Sequence, residues 1–259
     1  MKIIYCDDNL IVINKPPGMS VHGGFSVAGE TLVDELLKQF PEIRGVGDDP
    51  ALARKGGDDS ALRPGIVHRL DKDTSGVMVV ARNQETFEAL KKLFKTRSVV
   101  KTYRAIVCGA PKQKTGVITI PIGRLVKNPL KRGIAQGRSK IRGEREAQTA
   151  YRVLKAGSGY ALVELLPKTG RMHQLRVHLK AIGNPVACDR FYGGKNVCCP
   201  PGCGRQLLHA SSLSFTLLDK AFHFEADDPE DFEHAIRFIT PPPLTDEVSV
   251  LSRKNRNSK

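Results

Sequence analysis

The stretch Ile66–Asn83, IVHRLDKDTSGVMVVARN, sets a knot of ionisable and hydroxyl side chains between two short apolar runs. Apolar runs of that length read as buried strands, and Thr74, Ser75 and Gly76 supply the turn from one to the next. Asp71, flanked by Arg69 and Lys72, is thereby fixed at the edge of a core. Taken alone, the stretch has an ordinary explanation, in which Asp71 and Asp73 bond to their own backbone and the cations are solvated. A larger role for Asp71 requires partners from elsewhere in the chain.

Upstream, KIIYC and LIVIN (residues 2–6 and 10–14) are β-branched runs separated by Asp-Asp-Asn, the pattern of a hairpin. The prolines and glycines of Lys15–Gly24, KPPGMSVHGG, forbid regular structure. Thr31 then caps a helix whose apolar face is Leu32, Val33, Leu36, Leu37 and Phe40, ended by Pro41. Gly45–Gly65 lacks periodicity and reads as a mobile surface insertion.

Downstream, Asn83 caps a second helix, with Phe87, Leu90 and Phe94 on one side and lysines late, as the helix dipole prefers. Lys101–Gly109, KTYRAIVCG, alternates as a half-buried strand, with Tyr103 and Ala105 on one face, and Val117–Ile120 is a further short strand. Residues 127–146 are basic and irregular; such runs are solvated faces or phosphate contacts. Two strands follow, at 148–155 and 159–166. In Pro167–Pro185, Thr169 stands as the cap of a helix bearing Met172, Leu175, Leu179 and Ile182, with Arg171, Gln174 and His178 along its border. The strands QLLHASSLSF and AFHFEA precede a last helix with Asp228 as cap and Pro229 in its first turn, and residues 246–259 form a basic tail.

The 41 Lys and Arg against 27 Asp and Glu leave a net charge of +14, which favours a polyanionic partner such as nucleic acid or an acidic membrane surface. No apolar run is long enough for a signal peptide or a membrane span, so a cytoplasmic protein with reduced cysteines is expected. Neither G-x-x-x-x-G-K-[ST] nor G-x-G-x-x-G occurs, which removes the common phosphate-loop and dinucleotide fingerprints. Cys188, Cys198, Cys199 and Cys203 lack the paired C-x-x-C spacing of common zinc sites and read as reactive thiols in a loop. A nucleobase deaminase is excluded because His223-Phe224-Glu225 follows the cysteines instead of preceding P-C-x-x-C.

Four motifs in order, KPPGMSVH, HRLDKDTSG, KTYRAIVCG and TGRMHQLRVHL, resemble those of the RluA-type family of RNA pseudouridine synthases, with RQLLHASSL as weaker support. Strand and helix patterns alone leave α/β and α+β open; the resemblance implies an α+β fold, a mixed, largely antiparallel central sheet flanked by helices. It implies one catalytic domain, over residues 1–245, and isomerisation of uridines in structured ribosomal or transfer RNA; in departure from many relatives, the motifs begin at Lys15 and leave no room for a separate N-terminal RNA-binding domain, and a monomer is expected. It further implies Asp71 as the essential catalytic residue, Tyr103 against the target uracil and as a candidate base for the proton on carbon 5, and Arg171 paired with Asp71. Arg69 is expected to hold the base flipped out, and His68, Thr74, Lys15, His22, Gln174 and His178 to contact the nucleotide. Lys131, Arg132, Arg138 and Lys140 are expected on the RNA backbone. The reaction needs no metal and no cofactor. The alternatives are an idle RNA-binding protein that keeps the fold, which the joint presence of Asp71, Tyr103 and Arg171 argues against, and a basic zinc-binding module resting on the cysteines alone.

Overall fold

The computed structural model describes residues 1–23, 29–48, 63–135, 140–194 and 197–239. The opening hairpin pairs β1 (Lys2–Cys6) with β2 (Leu10–Lys15), and Asp7 Oδ1 closes the turn by accepting the Asn9 and Leu10 N–H groups at 2.8 and 2.7 Å. Helix α1 (Leu32–Gln39) starts with a reciprocal capping box between Thr31 and Asp34. β3 (Ser75–Ala81) is buried along its whole length, and Asn83 caps α2 (Gln84–Thr96). β4 (Val100–Cys108) and β5 (Thr115–Ile118) follow, then the long antiparallel pair β9 (Thr149–Gly157) and β10 (Tyr160–Pro167). Helix α3 (Gln174–Ala181), β11 (Leu208–Leu217), β12 (Lys220–Glu225) and α4 (Glu230–Arg237) complete the domain.

Nine of these strands form one mixed sheet in the order β1-β2-β3-β11-β4-β10-β9-β5, with β12 also on β11. Every pairing is antiparallel except β3 with β11, which run parallel through Ser75–His209 and Gly76–Ala210. Alternation along β4 divides the core. Ala105 and Val107 pack with Leu175 and Leu179 of α3 on one face, whereas Ile106 packs with Phe232 and Ala235 of α4 on the other. Tyr103 has the parity of Ala105 and packs with that α3 cluster.

Several expectations are corrected. Ile66 and Val67 form no strand; Ile66 makes a single bridge to Val80. The basic run is not irregular: β6 (Ile122–Leu125), β7 (Arg132–Gly133) and β8 (Ile141–Arg145) form a separate three-stranded antiparallel sheet. Its strands escape sequence reading because their solvent faces are charged and β7 is two residues long. Thr169 does not cap α3, since its hydroxyl is held by Gln148 and Gln174, and Asp228 does not cap α4, since its carboxylate binds Arg104. The insertion is tied at both ends, with Val46 buried and the Gly65 N–H donating to the Val46 carbonyl at 2.8 Å; residues 49–62 and the tail lie outside the described residues.

Four cysteines are paired, Cys108 with Cys198 and Cys188 with Cys199, in place of the reduced thiols expected; Cys6 and Cys203 are free. Among the described residues no cluster of His, Cys, Asp and Glu suits a metal ion, and no helix is long and apolar enough to cross a membrane.

At Gly76 the backbone has φ +120°, and an added Cβ would lie 2.2 Å from the Ala210 carbonyl oxygen. Two backbones therefore touch where β3 and β11 begin. Gly76→Ala is expected to destabilise the protein by about 3 kcal/mol or more, read as a lowered midpoint of chemical unfolding, because neither backbone can yield without breaking the ladder.

Candidate active site

The parallel start of β3 and β11 places the Asp71–Thr74 turn at the middle of the sheet, beside residues 205–207. Three side chains from distant parts of the chain hold that turn. The Lys15 ammonium, fully buried, donates to the carbonyls of Pro16, Met19 and Lys72 at 2.7, 2.9 and 2.9 Å. Arg205 Nη1 donates to the Asp73 carbonyl at 3.0 Å, and the Gln206 amide donates to the Thr74 hydroxyl at 2.9 Å. Successive residues 72, 73 and 74 are each tethered, so Asp71 is carried on a fixed turn. Burial draws the Lys15 pKa down to about 7, against the opposing charges of Asp73 and Asp71.

The guanidinium that pairs with Asp71 is Arg176, not Arg171. Arg176 Nη1 lies 2.8 Å from Asp71 Oδ2, while Nε and Nη2 form a fork on Asp189 at 2.7 and 2.9 Å. Burial opposes the charge on Arg176, but the hydrogen bonds and charges of Asp189 and Asp71 raise its pKa above the ordinary value. Arg171 precedes α3 and its side chain turns to the Glu146 carbonyl at 3.0 Å, on the rim of the cleft. The helix begins at Gln174, so spacing that places Arg171 on the helix border fails by one turn.

His173 supplies the other face of Asp71, with Nε2 3.8 Å from Oδ1. The Tyr192 hydroxyl accepts the Arg132 N–H at 2.9 Å and shares a hydrogen bond of 2.7 Å with His173 Nδ1, which fixes the ring beside Asp71. Burial keeps His173 neutral by lowering its pKa, against the pull of Asp71.

Asp71 and Tyr103 face a cleft of about 660 Å³ whose walls include His68, Phe94, Met172 and Leu208. Burial first, and the Asp71 charge second, raise the Tyr103 pKa above the phenol range, so the hydroxyl keeps its proton. Arg69 is exposed at the mouth, with Nη1 3.0 Å from His22 Nε2.

Several expected nucleotide contacts are occupied within the protein. Lys15 is spent on carbonyls. Gln174 uses all four of its hydrogen-bonding positions, accepting from the Thr169 hydroxyl and the Arg171 N–H and donating to the Gln148 carbonyl and the Thr149 hydroxyl. His178 is fully buried between the Thr149 hydroxyl and the Ile120 carbonyl, both at 2.9 Å. His68 accepts the Val79 N–H at 3.0 Å and stacks on Phe94, so it lines the cleft with an uncharged ring. On the basic sheet, Lys131 donates to the Phe191 carbonyl and Arg132 to that of Pro129, whereas Lys140 is exposed; Arg138 lies outside the described residues. Sequence reasoning missed Arg176, Asp189 and His173. The available signal was Arg176 itself, a charge set among the apolar residues of LRVHL, which when buried demands a carboxylate.

The model of the RNA pseudouridylate synthase family matches residues 9–181. The chain belongs to the RluA-type family of RNA pseudouridine synthases. It is 36% identical to an uncharacterized RNA pseudouridine synthase of Bacillus subtilis, over 91% of this chain and 72% of that one. It is 38% identical to an uncharacterized RNA pseudouridine synthase of Synechocystis, over 83% of this chain, and 40% identical to the ribosomal large subunit pseudouridine synthase D of Borreliella burgdorferi, over 74%. The chain spans 61% and 54% of the lengths of those two relatives. The solved structure of human RNA pseudouridylate synthase domain containing 4 superposes with a TM-score of 0.70 at 30% identity, covering 93% of this chain and 94% of that one.

The site is built with neutral histidines, and this gives it an acid limit. Burial lowers the pKa values of His68, His173, His178 and His209, that of His68 to about 3. The unfolded chain binds a proton at each near pH 6.5 while the folded chain does not, so stability is full above pH 6.5 and lost as pH falls toward 3. The unfolding temperature is expected to drop on acidification below pH 6.5, and His68→Gln, which keeps an acceptor for the Val79 N–H, to flatten part of that drop.

Proposed function

We propose that the protein converts uridine to pseudouridine in ribosomal or transfer RNA in the cytoplasm, with Asp71 as the essential catalytic residue. The observation that carries this reading is the Asp71 carboxylate, held 2.8 Å from Arg176, its other oxygen 3.8 Å from His173 Nε2, on the wall of a cleft that Tyr103 also lines. The isomerisation breaks the bond from ribose carbon 1 to base nitrogen 1 and forms one from the same carbon to base carbon 5. Carbon 5 loses a proton and nitrogen 1 gains one, so nothing is oxidised or transferred elsewhere. What the chemistry requires is a carboxylate at fixed geometry beside the sugar and base, and the Arg176 hydrogen bond supplies the fixing.

Tyr103 is assigned to contact with the uracil ring. Acting as the base at carbon 5 would require its phenol to give up its proton first, which burial and Asp71 both oppose. Extruding the uridine from its stack costs a few kcal/mol, and Arg69, exposed on the wall of the cleft, is assigned to occupy the gap. The names of the relatives from Borreliella burgdorferi and Zymomonas mobilis, both ribosomal large subunit pseudouridine synthase D, favour ribosomal RNA over transfer RNA as the substrate.

The test is tritium release from cellular RNA labelled at carbon 5 of uridine. Wild type should release tritium and Asp71→Asn should not; no release from ribosomal or transfer RNA by wild type would sink the enzymatic reading. Arg176→Lys, which loses the fork, is expected to lower kcat by roughly a hundredfold. Arg171→Ala is expected to raise KM with little change in kcat.

The backbone contact is proposed on the exposed cations of the small sheet. Arg124 is directly opposite Arg132 in β7 and Arg142 in β8, a row of like charges that destabilises a sheet unless a polyanion lies across it. Arg124→Gln with Arg142→Gln is expected to leave the unfolding temperature unchanged or raised while weakening RNA binding and flattening its salt dependence. An unchanged salt slope would remove the row from the interface.

A further inference from the structure

Arg69, Asp71, His173 and Arg176 line not one cleft but two. On the side away from Tyr103, the Asp71–Arg176 pair is also the wall of an adjoining cleft of about 360 Å³, whose other sides come from Lys72, Arg190, Phe191, Arg205 and Gln206. That volume lies in the range of pockets that hold small ligands, about 300–1,000 Å³. We propose that this second cleft binds the nucleotide adjoining the target in the same RNA strand, with Phe191 against its base and Arg190 and Lys72 on its phosphate. The proposal rests on the reading of the first cleft as the uridine site.

The polar groups of the second cleft divide into those already spent and those that are not. Asp189 is consumed by Arg176 and by the Phe191 and Tyr192 N–H groups at 2.9 and 3.1 Å. Arg205 is consumed by its fork on Asp231, both bonds at 2.7 Å, and by three carbonyls. Lys72 and Arg190 are exposed and, among the described residues, have no carboxylate within salt-bridge distance. Asp73 brings one negative charge to the wall, next in sequence to Lys72. The spare charge of the cleft is thus cationic, as a phosphodiester requires.

Phe191 is the aromatic element. It is 36% exposed, its orientation is fixed by edge contacts to His173 and Tyr192 at 5.7 and 5.5 Å, and the Lys131 ammonium sits 4.5 Å from its centroid. A base stacking there would displace the Lys131 ammonium, break its 2.7 Å bond to the Phe191 carbonyl and transfer it to the phosphate. Because Lys131 directly precedes β7, the second cleft is also where the basic sheet meets the domain. Extruding one nucleotide unstacks its neighbour, and a cleft sharing a wall with the target site catches that neighbour without a second distortion of the strand.

The test pairs a change in the RNA with a change in the protein. A short oligoadenylate carrying one uridine fixes the register, and an abasic residue is placed on the 5′ or the 3′ side of that uridine. Binding to wild type should weaken about tenfold when the abasic residue is on one side and little on the other, as loss of one stacked base predicts. Phe191→Ala should bind the intact oligomer about as weakly as wild type binds the abasic one and should not respond to the abasic change; Phe191→Leu, which keeps the apolar packing, should behave the same and covers a folding failure of the alanine variant. Arg190→Gln should flatten the salt dependence. Equal abasic losses in wild type and both Phe191 variants, or no loss on either side, would overturn the proposal, as would failure of wild type to bind any of these oligomers. A wild type that shows the one-sided loss but releases no tritium from labelled RNA would overturn the enzymatic reading and leave the second cleft as an RNA site.

Discussion

The Arg176 guanidinium, 8% exposed and shared between two carboxylates, is the interaction on which the site depends. A buried cation is tolerated only when its donors are matched, and here three nitrogens meet Asp189 twice and Asp71 once, with the Tyr192 ring 4.9 Å from the guanidinium carbon. The two carboxylates are not equivalent. Asp189, 1% exposed, also accepts two backbone N–H groups, so that four protein donors converge on it. Asp71, 24% exposed, has one oxygen on Arg176 and the other 3.8 Å from a neutral histidine, and lines the cleft. The arrangement thus has an anchoring carboxylate and an available one, held in register by a cation that belongs to neither.

The turn carrying Asp71 is treated by the rest of the fold as a fixed object. Lys15 from the first hairpin, Arg205 and Gln206 from the approach to β11, and Arg176 from α3 each reach it, so strands, loop and helix converge on residues 71–74. This explains why Lys15, which a motif suggests as a substrate contact, is fully occupied with protein partners, while Gln174 and His178 are spent on securing the start of α3 to β9 and the segment after β5. A short motif records a residue's necessity without distinguishing a side chain that touches the ligand from one that places the side chain that does.

The hairpin, α1, α2 and the strands from β9 to β12 were legible because their periodicity and caps are local. Thr31 with Asp34, and Asn83 before Gln84, announce their helices within one turn. The small basic sheet was not legible, because its strands are short and charged and derive their order from pairing. Asp71 and Tyr103 could be picked out, while the partner of Asp71 could not, because the start of α3 is set by His173 in a left-handed conformation at φ 57°, an unusual conformation for a non-glycine residue. That one backbone choice moves Arg171 off the helix and leaves Arg176 to face the carboxylate. The disulfides were equally hidden, since Cys108 and Cys198 are 90 residues apart and meet only when β4 and the loop before β11 come together.

The placement of β11 has a consequence for how the protein is made. Its residues, 208–217, lie between β3 and β4, which are synthesised more than a hundred residues earlier. Until β11 has left the ribosome, β3 and β4 have no strand between them, and the Asp71 turn lacks the Gln206 and Arg205 tethers that precede that strand. Contacts so distant in sequence make for slow, late closure. The turn that carries Asp71 therefore acquires its full set of tethers only when the last strands arrive, and its position is settled at the end of folding and not at the start.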